Sequence, residues 1–253
     1  MASATIAVDE DTSPPMLAPT LRKLLAGLRR TPLHPQWLLS DPNRAWVREH
    51  ARGRVLDVGC ADRWIEAALA PDASYIGLDY PATGRDLYHA NPTVYADAAR
   101  LPFIDASFDT VVMLEVLEHV EHPQAALSEA SRVLRPGGRL LLTMPFLYPM
   151  HDEPHDYQRY TTHGLKREIH SAGLQVERLD STLGAMESAG LLACLALGGS
   201  AYTAIRRRSV SLIALPVIAV AIPLINCTAW LAAKLLPDWP ALAAGYKIVA
   251  KKP

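Results

Sequence analysis

The densest group of chemically reactive side chains in the sequence lies between His151 and Tyr160. It contains two histidines, three acidic residues, two tyrosines and an arginine. Histidine titrates near neutral pH, so His151 or His155 could remove a proton from a substrate hydroxyl group. One of the three acids, Asp152, Glu153 or Asp156, could orient the imidazole. Arg159 could bind a phosphate or carboxylate group through its planar set of donors. The predicted substrate contacts are Tyr157, Arg159 and Tyr160.

Other interpretations of this segment stay open. His151, Asp152 and His155 could bind a metal ion, but nothing else in the sequence completes such a ligand set, so no metal is predicted. Alternatively, the segment forms a buried network that closes a pocket, with its two tyrosines packed inside. His119, further upstream, is another candidate base, and a capping or structural role is its alternative.

Two carboxylates end short apolar runs nearer the N-terminus. Arg54-Val-Leu-Asp-Val-Gly-Cys-Ala61 places Asp57 two residues before Gly59, and Tyr75-Ile-Gly-Leu-Asp79 ends in a second acid. A strand, a helix and a second strand in this order bind a nucleoside at the carboxyl ends of the strands. A dinucleotide site would avoid a negative charge so close to its pyrophosphate. Asp57 therefore favours a ligand without phosphates and with a cationic end, such as S-adenosylmethionine.

Later segments follow in an order that is found in a known family. The segments are Ala96-Asp97-Ala98, Ser107 to His119, Ser131 to Thr143 and Tyr246 to Pro253. Together with the two strand-end acids, they resemble class I S-adenosylmethionine-dependent methyltransferases of type 11. The closest resemblance is to a bacterial subgroup with a His-Asp-Glu-Pro-His-Asp-Tyr segment and a hydrophobic insertion near the C-terminus. The resemblance covers residues 50–180 and the end of the chain.

The resemblance implies a cofactor site at the strand ends. Asp79 would accept hydrogen bonds from both ribose hydroxyls, because an ionised carboxylate offers only acceptors. Gly59 would let the backbone approach the amino acid end of the cofactor, and Asp57 would support that end electrostatically. Asp97 and Ala98 would recognise the adenine edge. The complete predicted set for the cofactor is Asp57, Gly59, Cys60, Ala61, Asp79, Tyr80, Asp97, Ala98, Leu114 and Glu115.

The glycine-rich turn departs from the pattern of the family, which is acid-x-Gly-x-Gly-x-Gly. Ala61 and Arg63 stand where the second and third glycines are expected. Alanine adds only one methyl group. Arg63 is compatible with a cationic sulfonium nearby only if its side chain points to solvent or to the carboxylate of the cofactor.

The pattern of short apolar runs also predicts the elements that position these residues. Strands are predicted at 54–58, 74–79, 93–96, 108–114, 139–144, 174–180 and 245–250, and helices near 42–52, 62–70, 122–134 and 162–172. Strands that alternate with helices are typical of an α/β fold with a doubly wound, Rossmann-like sheet. The resemblance implies seven mostly parallel strands with the last one antiparallel. Pro136-Gly137-Gly138 predicts a tight turn before the fifth strand.

An apolar insertion separates the predicted sixth and seventh strands. Ser188 to Ile205 and Ser209 to Ala233 carry no charge, and Arg206-Arg207-Arg208 lies between them. Uncharged runs of this length can span the hydrocarbon core of a bilayer. Two spans are not favoured, because they would place the three arginines on the far side, against the positive-inside rule. We predict a helical hairpin that lies in the membrane interface or re-enters it, with a dimer interface or a substrate lid as alternatives.

These elements divide the chain into five parts. They are a disordered tail (1–20), N-terminal helices (21–52), the S-adenosylmethionine-binding core (53–182), the hydrophobic helical insertion (183–240) and the final strand (241–253). Residues 1–20 lack the basic-then-apolar order of a signal peptide. Leucines at 21, 24, 25 and 28 recur at helical spacing among basic residues. This pattern predicts a helix that lies on an anionic membrane or covers the cofactor site.

Composition narrows the choice of function. The net charge of −1 over 253 residues, without a dense basic tract, argues against a nucleic-acid partner. Cys60, Cys194 and Cys227 are far apart, which favours a reducing cytoplasm over a disulfide framework. The resemblance implies methylation of a hydroxyl group or a similar nucleophile. The hydrophobic insertion suggests that the acceptor is a small, lipid-like, quinone-like or lipid-linked saccharide molecule at the inner face of the membrane. A non-catalytic membrane-associated module and a nicotinamide-dependent oxidoreductase are the alternatives.

Overall fold

The computed structural model describes residues 27–39, 43–86 and 90–253. The predicted disordered tail and nearly all of the predicted leucine-patterned helix lie outside these residues. The described part forms an α/β fold around one sheet. Its strands are β1 (Arg54–Val58), β2 (Ser74–Asp79), β3 (Val94–Tyr95), β4 (Phe108–Leu114), β5 (Leu134–Pro145), β6 (Gln175–Ser181) and β7 (Gly245–Lys251).

The strand order confirms the predicted doubly wound topology. In the described residues the order is β3-β2-β1-β4-β5-β7-β6, so the chain reverses direction across the sheet between β1 and β4. Strand β7 runs antiparallel to both of its neighbours, and the other pairs are parallel. A crevice forms outside the carboxyl ends of parallel strands at such a reversal, and ligands bind there.

Six α-helices accompany these strands in the described part of the chain. They are α1 (Arg44–His50), α2 (Pro81–Asp86), α3 (Pro123–Val133), α4 (Thr162–Ser171), α5 (Ala185–Arg206) and α6 (Leu215–Leu235). Helices α1, α3 and α4 agree with the predicted positions. Helices α5 and α6 lie between β6 and β7, as predicted for the insertion.

The central strands bury side chains on both faces of the sheet. Val111 and Met113 of β4 pack into one apolar layer with α3 and α4. Val112 and Leu141 pack into the opposite layer with Val47 of α1. Because helices cover both faces, the central parts of β4 (111–114) and β5 (140–142) are continuous apolar runs instead of alternating ones. The rigid sheet holds the strand ends, and therefore the site, in fixed positions.

Two local predictions are wrong. The helix predicted near 62–70 is only a short 3-10 turn at Glu66–Ala68, because Ala61 and Arg63 have φ values of 42° and 60°, which no α-helix contains. The predicted turn at residues 136–138 lies inside β5. The pairing register shifts at this point, since Phe108 pairs with Leu134 but Thr110 pairs with Arg139. Strand β5 therefore has additional residues opposite β4.

The helical hairpin is tied to the N-terminal segment 27–39. The side-chain amide of Asn226 in α6 is buried and donates to the carbonyl oxygens of Pro32 (2.7 Å) and His34 (3.0 Å). Helices α5 and α6 approach closely at Gly190, where an added Cβ would lie 2.4 Å from the Cβ of Ala229. The hairpin is thus a packed part of the described structure.

Candidate active site

The turn after β1 begins at the carboxyl end of that strand. Gly59, Ala61 and Arg63 all adopt the left-handed region, with φ values of 73°, 42° and 60°. Only glycine fits at position 59, because a Cβ there would lie 2.4 Å from Cγ2 of Val116. The alanine and the arginine therefore keep the backbone conformation that glycine favours at these positions.

Arg63 turns its charge away from the turn. Its Nε donates to the carboxylate of Glu66 at 3.1 Å, and a terminal nitrogen donates to the carbonyl oxygen of Asn91 at 3.2 Å. The guanidinium group lies 5.1 Å from the ring centre of Tyr75. The side chain is thus engaged by neighbouring residues, so the substitution of the third glycine leaves the strand ends accessible.

Asp79 organises the same turn from the end of β2. Its two oxygens accept hydrogen bonds from the backbone N–H groups of Ala61 and Tyr80, each at 2.8 Å. Burial raises the pKa of Asp79, although these two hydrogen bonds oppose the rise. A carboxylate has about four acceptor positions, so two remain for a ligand.

Asp57 is buried beneath the turn. Its Oδ2 accepts a hydrogen bond of 2.7 Å from the hydroxyl group of Tyr75. Burial raises the pKa of Asp57 to about 7, against the effect of the tyrosine hydrogen bond. Burial likewise raises the pKa of the neighbouring Cys60 thiol to about 12, so it is an unreactive thiol.

A cavity of about 420 Å³ opens at the carboxyl ends of β1, β2 and β4. Eight of the ten residues predicted for the cofactor line it, namely Gly59, Ala61, Asp79, Tyr80, Asp97, Ala98, Leu114 and Glu115. The other two residues of the predicted set, Asp57 and Cys60, do not line it. Further lining residues that were not predicted include Trp64, Thr83, Val120, Glu121 and His122.

The segment after β5 folds over the mouth of this cavity. The backbone N–H of Tyr157 donates to the carbonyl oxygen of Glu118 at 2.9 Å, and Nδ1 of His119 lies 2.7 Å from the carbonyl oxygen of His155. His119, Asp152, His155 and Tyr157 line the cavity. The ring of His155 points Nδ1 at the hydroxyl group of Tyr157, 3.2 Å away.

The remaining predicted residues support this segment instead of lining the cavity. Arg159 donates to both oxygens of Asp156, at 2.8 Å for Oδ2, so its guanidinium group is engaged within the loop. Burial opposes ionisation of Asp156, but Arg159 holds its pKa below the usual range. Asp156 in turn accepts from the backbone N–H of His151 at 3.0 Å. Tyr160 packs against the apolar core. Arg159 and Tyr160, which were predicted to contact substrate, therefore lie outside the lining of this cavity.

Glu118 forms an unpredicted cluster with two histidines. Its Oε1 lies 3.7 Å from Nε2 of His119 and 3.9 Å from Nε2 of His151. The carboxyl group is fully buried, and neither of its oxygens has a hydrogen-bond partner among the described residues. Burial raises the pKa of Glu118 well above its usual range, and the nearby negative charge of Glu115 adds to this rise. The trio differs from the set considered from the sequence, since His155 faces Tyr157 instead.

Comparisons with known proteins decide the family. The family described as methyltransferase domain matches residues 56–142. A protein of Mycolicibacterium smegmatis named as a probable S-adenosylmethionine-dependent methyltransferase is 35% identical over 189 residues, which cover 66% of this chain and 72% of the relative. The chain belongs to the S-adenosylmethionine-dependent methyltransferases. S-adenosylmethionine is the cofactor of this family, so it is the ligand that the cavity is expected to hold.

This methyltransferase is also similar to other curated proteins and to a solved structure. Phthiotriol/phenolphthiotriol dimycocerosates methyltransferase 1 of Mycobacterium ulcerans is 42% identical over 41% of this chain and 45% of the relative. Several curated relatives are likewise matched over about half of their own length. A solved Thermotoga maritima methyltransferase, described as a possible histamine N-methyltransferase, aligns with a TM-score of 0.53 at 14% identity, covering 92% and 96% of the chains. It shares the fold.

A second cavity distinguishes the insertion of this methyltransferase. It measures about 980 Å³ and lies between the segment after β5, including Leu147 and Tyr148, and the C-terminal half of α5, including Leu195 and Thr203. The ring centre of Tyr148 is 5.4 Å from that of His151, which is 4.8 Å from that of His119. Tyr148 lines the large cavity and His119 lines the smaller one, so this row of three rings runs from the lining of one cavity to the lining of the other.

The insertion of the methyltransferase exposes much apolar surface. Residues 185–206 and 210–235 are long and apolar enough to cross a membrane, with mean hydropathies of 1.5 and 2.4. Only 28% and 11% of their most apolar windows are buried within the protein. Val217, Val220 and Leu224 of α6 are 70%, 68% and 62% exposed and share one side of the helix by their spacing.

Proposed function

We propose that this methyltransferase transfers the methyl group of S-adenosylmethionine to a hydroxyl oxygen of a lipid-like or lipid-linked acceptor at a membrane surface. One observation carries the proposal. A row of three rings, Tyr148, His151 and His119, leads from the lining of the larger apolar cavity beside α5 to the lining of the cavity at the strand ends. A polar cofactor and an apolar acceptor could therefore meet at this row.

The cofactor would lie in the smaller cavity along the strand ends. Asp79 would accept hydrogen bonds from the ribose hydroxyls through its remaining acceptor positions, and Asp97 with Ala98 would contact the adenine edge. The turn at Gly59 and Ala61 would hold the amino acid end. Asp57 would support that end by charge from beneath the turn, since it is buried and does not line the cavity.

Methyl transfer from a sulfonium ion requires mainly alignment of the acceptor oxygen, the methyl carbon and the leaving sulfur. The acceptor hydroxyl would give its proton to His155, which lines the cavity and is oriented by Tyr157. The oxygen would then form a bond to the methyl carbon. The bond from that carbon to sulfur would break, and its electron pair would stay on sulfur to give S-adenosylhomocysteine.

The large cavity suits an apolar part of the acceptor. The Mycobacterium ulcerans relative is named for dimycocerosates of phthiotriol, so a lipid substrate has a precedent among similar proteins. In this chain, the cavity borders α5, and the exposed side of α6 adds further apolar surface. A lipid could thus pass from a membrane surface to the ring row without crossing water.

We place the hairpin in the membrane interface instead of across the bilayer. An added Cβ at Gly190 would lie 3.5 Å from Leu38, and one at Gly198 would lie 3.1 Å from Pro35, so α5 runs along the N-terminal segment. Polar groups of that segment, including His34 and Gln36, would have to enter the hydrocarbon if α5 crossed it. Lys234, whose Nζ lies 3.6 Å from the ring centre of Trp230, and Arg206–Arg208 suit the headgroup layer.

The proposed reaction can be tested without knowing the acceptor. The purified chain is incubated with methyl-labelled S-adenosylmethionine and a total lipid extract of Mycolicibacterium smegmatis, and the label is measured in the organic and aqueous phases. We expect transfer into the organic phase that requires His155. Label that is transferred only to water-soluble molecules would contradict the lipid acceptor. A chain that binds S-adenosylhomocysteine but transfers no label would support the non-catalytic alternative.

A further inference from the structure

The cluster of Glu118, His119 and His151 is arranged as a ligand set. One oxygen of Glu118 and the Nε2 atoms of both histidines converge, and the ligand atoms of the three residues lie within 4.8 Å of one another. A buried carboxyl group without a hydrogen-bond partner is costly, so such a group usually has an assigned role. Here both oxygens of Glu118 are buried and unpartnered among the described residues.

The second nitrogen of each histidine has its own partner. Nδ1 of His119 lies 2.7 Å from the carbonyl oxygen of His155, and Nδ1 of His151 lies 3.3 Å from the carbonyl oxygen of Pro149 and 3.4 Å from Oδ2 of Asp156. Arg159 holds Asp156 in turn. These acceptors favour the tautomer with the proton on Nδ1, in which Nε2 of each histidine, the atom nearer to Glu118, carries the lone pair. Histidines that bind metals are oriented in this way by backbone carbonyls or carboxylates.

We propose that Glu118, His119 and His151 bind a divalent transition-metal cation. Two imidazoles and one carboxylate are a common ligand set for zinc and for neighbouring metals. Two ligand atoms about 2.1 Å from a tetrahedral zinc ion lie roughly 3.4 Å apart. The separations of 3.7 and 3.9 Å from Oε1 of Glu118 therefore need only small side-chain movements. Asp152 lies beside this group, with Oδ2 at 3.9 Å from Nε2 of His119.

The site lies within the ring row between the two cavities. Its role rests on the proposed function, although the existence of the site does not. A cation there would bind the acceptor hydroxyl and lower its pKa, so that the proton passes to His155 more readily. The resulting oxygen would then attack the methyl carbon as described above. The cation would also fix the position of the acceptor oxygen relative to the cofactor.

The test is metal binding by the full chain, prepared without a histidine tag and treated with a chelator. Zn²⁺ is titrated by calorimetry, and zinc per chain is counted by elemental analysis after gel filtration. The variants are Glu118→Gln, which keeps the size of the side chain, and His151→Ala. His170→Ala is the matched control, because His170 is exposed on α4 and outside the cluster. Circular dichroism and thermal unfolding report whether each variant folds.

We expect one zinc ion per wild-type chain and at least a tenfold loss of affinity in both cluster variants, with the control unchanged. Absence of binding by the wild type would overturn the proposal. Equal binding by all variants would also overturn it and would indicate an adventitious ion only. If the variants do not fold, the visible spectrum of the Co²⁺ form of the wild type decides. Strong bands of four- or five-coordinate cobalt support the site, and the weak spectrum of the hydrated ion refutes it.

A parallel titration of the wild type with S-adenosylhomocysteine separates the two proposals. Zinc binding without S-adenosylhomocysteine binding would contradict the proposed function and leave the metal site standing. The reverse result would contradict only the metal site.

Discussion

The two cavities of this methyltransferase are built in different ways. The smaller one lies at strand ends and the turns that follow them. Its lining includes Gly59, Asp79 and Asp97, and each of these residues lies within a short sequence motif. The larger one lies between a loop and a helix of the insertion, and its boundary is a row of side chains brought together from distant positions. Local sequence therefore specifies the smaller cavity, the proposed cofactor side, and long-range packing specifies the larger cavity, the proposed acceptor side.

Replacing His155 by alanine should separate the two sides most strongly. Loss of the proposed base should reduce turnover by about a hundred- to ten-thousand-fold, because general base catalysis contributes on that order. Affinity for S-adenosylhomocysteine should be retained, since the strand-end turn is intact. Label transfer to lipid and calorimetry measure the two effects, with His170→Ala as the surface control. Full turnover in His155→Ala would remove this residue from the mechanism.

Replacing Asp79 by alanine should damage the cofactor side instead. The variant loses hydrogen bonds to the ribose and the two bonds that hold Ala61 and Tyr80. Hydrogen bonds to a charged group contribute about 1.5–3 kcal/mol each, so affinity for S-adenosylhomocysteine should fall by roughly a hundredfold or more. Asp72→Ala is the control, because this acid is exposed just before β2. Unchanged affinity in Asp79→Ala would show that the ribose lies elsewhere.

The part of the structure that can be predicted from the sequence differs between the two cavities in the same way. Every strand was located, because apolar runs between turn residues are local signals, and eight predicted residues do line the cofactor cavity. The helix near 62–70 failed because the left-handed backbone at Ala61 and Arg63 depends on the partnership with Asp79, which lies on another strand. The cluster of Glu118 with His151 could not be predicted, because it requires the fold of the loop that joins them.

The hairpin should determine membrane binding on the acceptor side. The substitution Leu224→Asp places a charge in the proposed interfacial surface, because Leu224 is 62% exposed on α6. Sedimentation with vesicles of equal parts phosphatidylcholine and phosphatidylglycerol should fall by about tenfold, given the cost of a charge in apolar surroundings. Ile104→Asp is the matched control, since Ile104 is 80% exposed in the loop before β4. Equal loss in both variants would indicate nonspecific adsorption.

The smallest expected effect is a pH dependence of cofactor affinity through Asp57. Its pKa is raised to about 7, so the carboxyl group is largely neutral at pH 6 and ionised at pH 8. The ammonium group of S-adenosylhomocysteine should therefore bind several-fold more tightly at pH 8. Asp57→Asn should remove this dependence. An identical pH profile in that variant would assign the titration to another group.

The same group has a predictable effect on the stability of the free protein. Because the folded pKa of Asp57 lies above the unfolded value, its contribution to stability is complete below pH 4 and is lost as the pH rises through 7. The thermal unfolding midpoint of Asp57→Asn, relative to that of the wild type, should therefore rise between pH 5 and pH 8. A constant difference between the two proteins over this range would contradict the buried, proton-binding state of Asp57.

The central claim is that the turn with Ala61 and Arg63 still forms a working cofactor site. Calorimetric titration of the full chain with S-adenosylhomocysteine, with and without detergent, tests it most directly. We predict one site of micromolar affinity, about −8 kcal/mol. Absence of binding in both conditions would contradict the account, and would mean that the two replaced glycines have closed the cavity to the cofactor.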